Sequence, residues 1–473
     1  MLITILCTIS FLILTWFSFT TFSSREVSRR IFDVPGNRSQ RFLMPMGMYF
    51  VMFIVLTAPL YVRYLTLVRY LIFFVLSLYY ILNYKYNNLL RGGPVVISYM
   101  IFYMWLVLTA VNSPYPDQAF LNLLKYSLPI VSLWVAYNAL QTKEDFIVFL
   151  KYSCWALLIY SFWVGGFSAK FLPFLYYSPF GAGIVYTYAQ LGDYFVAMLP
   201  IPITYAIITG KKRWLLLVVW LFLSSISESI RTTIAASLIA ISIYAFLMFK
   251  LRSVPFIIGL VFVFSAIVVY VPEVNKKFFA GGYDNNYTVQ DIATGKMGMK
   301  NIQTNAREMM WEKAMTDLYD GHELTGSGLG SVSHGMKTHK YHDSLLLIHS
   351  DYVQLLCDSG IISVVLLGVF VLCTLVTVLW YGQPWMGEFS ALSGWMAASS
   401  LGGILFCMAF DNVVSVSMTS LIMPFFFIGF FLKFKDLYKY LPEKDFTAEL
   451  PEEEFSAEFV EEEPKPQLEA ESK

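Results

Sequence analysis

The run GIISVVLLGVFVLCTLVTVLW (Gly360–Trp380) holds 21 residues and no charge. A hydrocarbon core of about 30 Å takes about 20 apolar residues as a helix, so this run reads as a membrane span. Downstream the pattern recurs at 389–409 and 415–433. Upstream it recurs at 2–21, 43–62, 64–82, 94–112, 120–140, 146–165, 190–209, 214–229, 232–249 and 255–272. The sequence therefore predicts an all-α polytopic membrane protein with 12–13 spans. Arg63 alone divides the second span from the third. The first has neither a basic leading region nor an A-x-A cleavage site, so it is expected to be a retained helix.

Composition agrees. Of 473 residues, 57% are hydrophobic and 14% charged, against about 25% charged in a soluble domain. Mean hydropathy is +0.60. These values exclude a soluble globular enzyme and a disordered chain. The aromatic share, 18%, suits Trp and Tyr at membrane interfaces. The five cysteines include no CxxC pair, so they are expected to be buried and structural, with no disulfide framework.

The formal net charge is zero, from 33 basic and 33 acidic residues. Residues 441–473 hold 12 acidic and 3 basic residues, a net of −9, which leaves +9 on the rest. Basic residues concentrate in alternate loops. These hold Arg25, Arg29, Arg30, Arg38 and Arg41; Lys85 and Arg91; Lys143; Lys211, Lys212 and Arg213; Lys250 and Arg252; and Lys433, Lys435 and Lys439. The positive-inside rule places that set in the cytoplasm. The C-terminus is then cytoplasmic and, with 13 spans, the N-terminus outside.

Four regions follow: an N-terminal transmembrane bundle (1–272), a long outer loop (273–359), C-terminal transmembrane helices (360–433) and an acidic tail (434–473). The Glu- and Pro-rich tail is expected to be disordered. No internal repeat is evident, which argues against a transporter built from inverted halves.

The outer loop carries the candidate chemistry. All five histidines (His322, His334, His339, His342 and His349) lie in it. Histidine suits proton transfer near neutral pH, although spans exclude polar residues and would drive histidines there anyway. His339 and His342 lack the further ligands of a zinc site, so no metal is assigned. In Thr304–Trp311 the spacing predicts a helix with Asn305 as N-cap and Glu308 at the third position. Met310, Trp311, Ala314, Met315 and Leu318 would form its buried face. Arg307 in its first turn would bind an anion or pair with Glu308. The loop Gly326-Ser327-Gly328-Leu329-Gly330-Ser331 is either a backbone phosphate cradle or a simple turn. In Ile348–Ile361, His349, Tyr352, Val353 and Leu356 would share a helical stripe on a helix ending at Gly360. Between two upstream spans, Arg231 in Ser227–Thr233 has almost no loop, so it needs a partner such as Glu228 or a bound anion. Lys125 and Asp193 are further charges near outer span ends.

Taken together these elements resemble the O-antigen ligase and polymerase superfamily. The Ser-x-x-Arg-Thr-Thr element ending at Thr233, Asn-Ala-Arg-x-x-x-Trp at 305–311, the Gly-Ser-Gly-Leu-Gly loop and His349-Ser350-Asp351-Tyr352 with Asp358-Ser359-Gly360-Ile361 stand in the family's order. His349-Ser350 replaces the family's frequent His-Asn, and Asp358 stands where Glu is common. The resemblance is strongest over about 185–410.

It implies a GT-C-like fold with a periplasmic loop in the bacterial inner membrane, and a metal-independent inverting glycosyltransferase without a cofactor. The donor would be a glycan on undecaprenyl diphosphate. The acceptor would be lipid A-core for a ligase or a growing lipid-linked glycan for a polymerase. Ligase is the preferred reading, because one loop carries both Arg307 and His349. Arg231 and Arg307 would bind the diphosphate, and His349 would act on the acceptor hydroxyl. Lys125, Trp311 and Tyr352 are further substrate-binding candidates. Membrane lipids are the other expected partners; nucleic acid is not. The competing class is a flippase for lipid-linked sugars, which would place ionisable residues deep within the spans.

Overall fold

The computed structural model describes residues 38–58, 63–83, 93–164, 188–227, 231–271, 274–275, 307–342, 345–414 and 418–440, with Ile13 and Trp16. The expected span at 2–21 (those two residues apart), Asn305, Glu228 and the tail from 441 lie outside them. Among the described residues there is no strand. Fifteen α-helices are described. They are α1 (Arg38–Thr57), α2 (Arg63–Asn83), α3 (Pro94–Val111), α4 (Pro116–Ala139) and α5 (Lys143–Val164). There follow α6 (Tyr188–Met198), α7 (Pro200–Thr209), α8 (Leu215–Ser227), α9 (Arg231–Phe249) and α10 (Val254–Tyr270). The last are α11 (Arg307–Leu318), α12 (Ser331–Lys337), α13 (Asp351–Tyr381), α14 (Glu388–Phe410) and α15 (Met418–Tyr440).

Among the described residues, six segments are long and apolar enough to cross a membrane: Pro94–Val111, Pro116–Ala139, Leu191–Thr209, Arg231–Tyr270, Asp351–Tyr381 and Glu388–Phe410. The fourth has 40 residues and divides into α9 and α10 at a 3-10 turn over Lys250–Ser253. The chain is an all-α protein with several membrane-spanning helices. Helices α1, α2, α5, α8 and α15 fall on further expected spans. The break between α1 and α2 comes just before Arg63, the residue that divides those two spans in the sequence.

Burial sorts these helices. The most apolar windows of Leu191–Thr209 and α14 are each 83% buried, whereas that of α9–α10 is 11% buried. Phe262, Leu216 and Val111 stand exposed on outer helices. Apolar faces of this extent are stable only against lipid or a partner. In α14 small residues let backbones approach, as is usual between membrane helices. Ser399 Oγ donates to Ala240 O of α9 at 2.6 Å, and Ser400 Oγ donates to Ala197 O of α6 at 2.6 Å. These two bonds hold the middle of α14 against the middle of α9 and the end of α6.

A small second core sits on the end of that bundle. Met310 and Ala314 of α11, Val332 and Met336 of α12, Tyr341, Ile348 and Cys357 bury one another. Met310 and Ala314 come from the face expected of this helix, and Trp311, Met315 and Leu318 pack beside them. Cys154, Cys357 and Cys407 are buried free thiols and Cys373 is half-buried.

Candidate functional site

Helix α13 breaks at Gly360, whose backbone (φ 70°, ψ 179°) leaves the helical region. A side chain there would meet Leu324 O at 2.1 Å, and one at Gly326 would meet the Asp358–Ser359 peptide at 2.5 Å. Both positions are glycine because two backbones touch. The break separates the apolar span from the short helix 351–359, as the sequence predicts.

The start of that helix differs from expectation. His349 is not on its stripe. Helix α13 begins at Asp351, with Ser350 as N-cap accepting a hydrogen bond from Val353 N–H. A serine at that place halts the helix, because its side chain replaces the backbone acceptor. His349 precedes the cap with φ 56°, a conformation rare for a residue with a Cβ and common at functional sites. The peptide before it is clamped through both of its polar groups. Trp311 Nε1 donates to Ile348 O at 2.6 Å, and His349 N–H donates to Asn412 Oδ1 at 3.1 Å.

Asp411 and Asn412 follow α14 and were not singled out from the sequence. Their signal is a charged and an amide residue at the junction of two apolar spans. Asp411 Oδ1 lies 3.5 Å from His349 Nδ1, with both side chains about three-quarters buried. That is an electrostatic contact longer than a good hydrogen bond, and Nδ1 makes no hydrogen bond among the described residues. Asp411 Oδ1 also accepts Asn412 N–H at 2.9 Å. Asp351, fully buried, accepts Val414 N–H at 3.1 Å. His349 and Asp351 thus hold the 411–414 turn from both sides.

Arg307 reaches the same turn. Its Nη1 donates to Phe410 O at 2.5 Å. Burial lowers the pKa of its guanidinium and the neighbouring Asp411 raises it; an arginine stays charged through either. Arg231, first residue of α9, lies within electrostatic reach of Arg307. A glycine sets its height: a Cβ at Gly192 of α6 would meet Thr233 Oγ1 at 2.4 Å. Arg307 and His349 therefore meet at the Phe410–Asn412 turn, and Arg231 stands on the Arg307 side of it.

The other candidates fall elsewhere. Trp311 and Tyr352 spend their polar atoms on the protein, Tyr352 Oη donating to Leu405 O at 3.0 Å. Lys125 lies on α4, facing Asp351 and Lys337. The Gly326–Ser331 loop is a structural corner. The carboxylate of Asp358 accepts Val332 N–H at 2.8 Å and also bonds the backbone of Gly330 and Ser331. A carboxylate of the chain itself thus occupies the donors a phosphate would use. His334 stacks on Tyr115 at 3.8 Å, and His342 Nδ1 accepts Leu345 N–H.

The site offers two neighbouring guanidinium groups, suited to the oxygens of a diphosphate, and an imidazole backed by a carboxylate. The chain matches no protein-family model and no curated protein sequence.

Proposed function

We propose that this chain transfers a glycan from undecaprenyl diphosphate to an acceptor hydroxyl, as an O-antigen ligase acting on lipid A-core. The observation that carries the reading is the meeting of Arg307 and His349 at one turn, with Asp411 behind the imidazole and Arg231 within electrostatic reach of Arg307. Asp411, 3.5 Å from Nδ1, stabilises the imidazolium that forms when Nε2 takes the acceptor proton. The acceptor oxygen then forms a bond to the anomeric carbon, and the carbon–oxygen bond to the diphosphate breaks with inversion. The released undecaprenyl diphosphate keeps that electron pair. Arg231 and Arg307 stabilise the growing charge in a site of low dielectric, without a metal.

The periplasmic face of the bacterial inner membrane suits this site. Lys211, Lys212, Arg213, Lys250 and Arg252 stand where α7 and α9 end, away from Arg231 at the start of α9. The polybasic end then faces the cytoplasm, as does the C-terminus.

Purified protein would be incubated with undecaprenyl-diphosphate glycan, with and without lipid A-core. A glycan shift on the core supports the ligase. A longer glycan from donor alone makes the enzyme a polymerase. Full transfer by His349→Ala, Arg307→Ala and Arg231→Ala together removes the assignment.

A further inference from the structure

Asn412 is neither the imidazole nor the carboxylate of the site, yet it bonds the residues that carry both. Its backbone N–H donates to Asp411 Oδ1 at 2.9 Å, and that same oxygen stands 3.5 Å from His349 Nδ1. Its side-chain Oδ1 accepts the backbone N–H of His349 at 3.1 Å. A backbone N–H can only donate, so the amide presents its oxygen there, not its nitrogen. One residue thus holds the carboxylate through its main chain and the histidine backbone through its side chain.

Both partners need such a hold. His349 keeps φ at 56°, a region that a residue with a Cβ occupies only where its neighbours impose it. It stands ahead of the Ser350 cap, so no helical carbonyl receives its N–H. Asp411 is the C-cap of α14, and the helix no longer sets the path of the chain beyond it.

The choice of an amide fits this place. Asn412 is 1% exposed, and its Nδ2 has no hydrogen-bond partner among the described residues. A buried donor without a partner is costly, and aspartate would offer the same oxygen without that donor. Aspartate would also add a third carboxylate beside Asp411 and Asp351, whose Oδ2 accepts Val414 N–H on the same turn. An amide presents the acceptor oxygen without the charge.

We propose that Asn412 is the positioning residue of the His349–Asp411 pair, acting through both and setting the imidazole against the carboxylate. Its effect on turnover rests on the glycosyltransferase reading; its hold on the backbone of His349 does not.

The test combines hydrogen exchange with kinetics on the full-length protein in liposomes. Asn412→Ala removes the oxygen and should speed exchange of the His349 N–H about tenfold, the scale of one hydrogen bond, while the amides of α12 stay protected. Asn412→Asp keeps the oxygen and should restore the protection at His349. In transfer from undecaprenyl-diphosphate glycan to lipid A-core, Asn412→Ala should lower kcat about tenfold or more and leave the donor KM within about twofold. Asn412→Ser, a milder truncation that keeps a buried hydroxyl, should move both readouts in the same direction and replaces Asn412→Ala if that variant does not fold. Unchanged exchange at His349 in the truncated variant overturns the proposal. So does a kcat within about twofold of wild type, or a loss confined to donor KM. Wild-type protein that transfers nothing, while exchange at His349 follows Asn412, refutes the transferase reading and leaves the hold of Asn412 on His349 standing.

Discussion

Replacing Arg307 by lysine keeps the charge and removes the planar fork. In the structure Nη1 is committed to Phe410 O, and Asp411 supplies the nearby counter-charge. The guanidinium has five N–H donors, so the remaining ones can hold two phosphate oxygens while that anchor persists. A lysine ammonium has three donors at a single point and cannot serve the carbonyl and a bidentate phosphate together. The Coulomb attraction to the diphosphate survives, so the loss should equal about one hydrogen bond to a charged group. That is about 1.5–3 kcal/mol, or roughly 10- to 150-fold in kcat/KM. Arg307→Ala, which also loses the charge, should fall further. Single-turnover transfer in liposomes, with thermal unfolding to check integrity, reads this directly. A lysine variant within twofold of wild type would show that Arg307 binds no phosphate in the bidentate way argued here.

Further outcomes follow from the same geometry. Asp411→Asn preserves shape but no longer stabilises an imidazolium, so turnover should fall by about 10²-fold or more, while a photoaffinity donor still labels the protein; normal turnover would detach Asp411 from His349. Gly360→Ala places a Cβ against Leu324 O in a backbone region nearly exclusive to glycine, and should cost about 1–3 kcal/mol in unfolding experiments. Asp358→Ala removes the acceptor for the 330–332 backbone. It should raise hydrogen exchange in α12 and its preceding loop by about 10-fold or more, and unchanged protection would mean other contacts hold that loop. Gly192→Ala should displace Thr233 and Arg231 together, weakening donor binding more than stability; intact donor affinity would mean that α6 does not set the height of Arg231.

The span pattern was legible in the sequence because bilayer thickness sets a length that uncharged runs report directly. The six segments that meet it among the described residues lie over seven of the expected runs, Arg231–Tyr270 covering two of them. The break at Gly360 was equally legible, since a glycine acts locally, and the helix Arg307–Leu318 buries Met310 and Ala314 as its apolar spacing predicts. Placing His349 on a helix failed for a local reason too: Ser350 intervenes as N-cap, while bonds from Trp311 and to Asn412 hold the peptide before His349. The Gly-rich loop could be read either way until its donors were seen to face Asp358.

By itself, the sequence determined that this is an all-helical membrane protein with charge sorted along the chain, because hydropathy and charge act residue by residue against the bilayer. It also nominated Arg231, Arg307 and His349, each by its local chemistry. Only the tertiary structure brought Arg307 and His349 together, because both bond the turn that follows α14. It alone supplied Asp411, whose role comes from lying 3.5 Å from an imidazole 62 positions away, a distance no local pattern encodes.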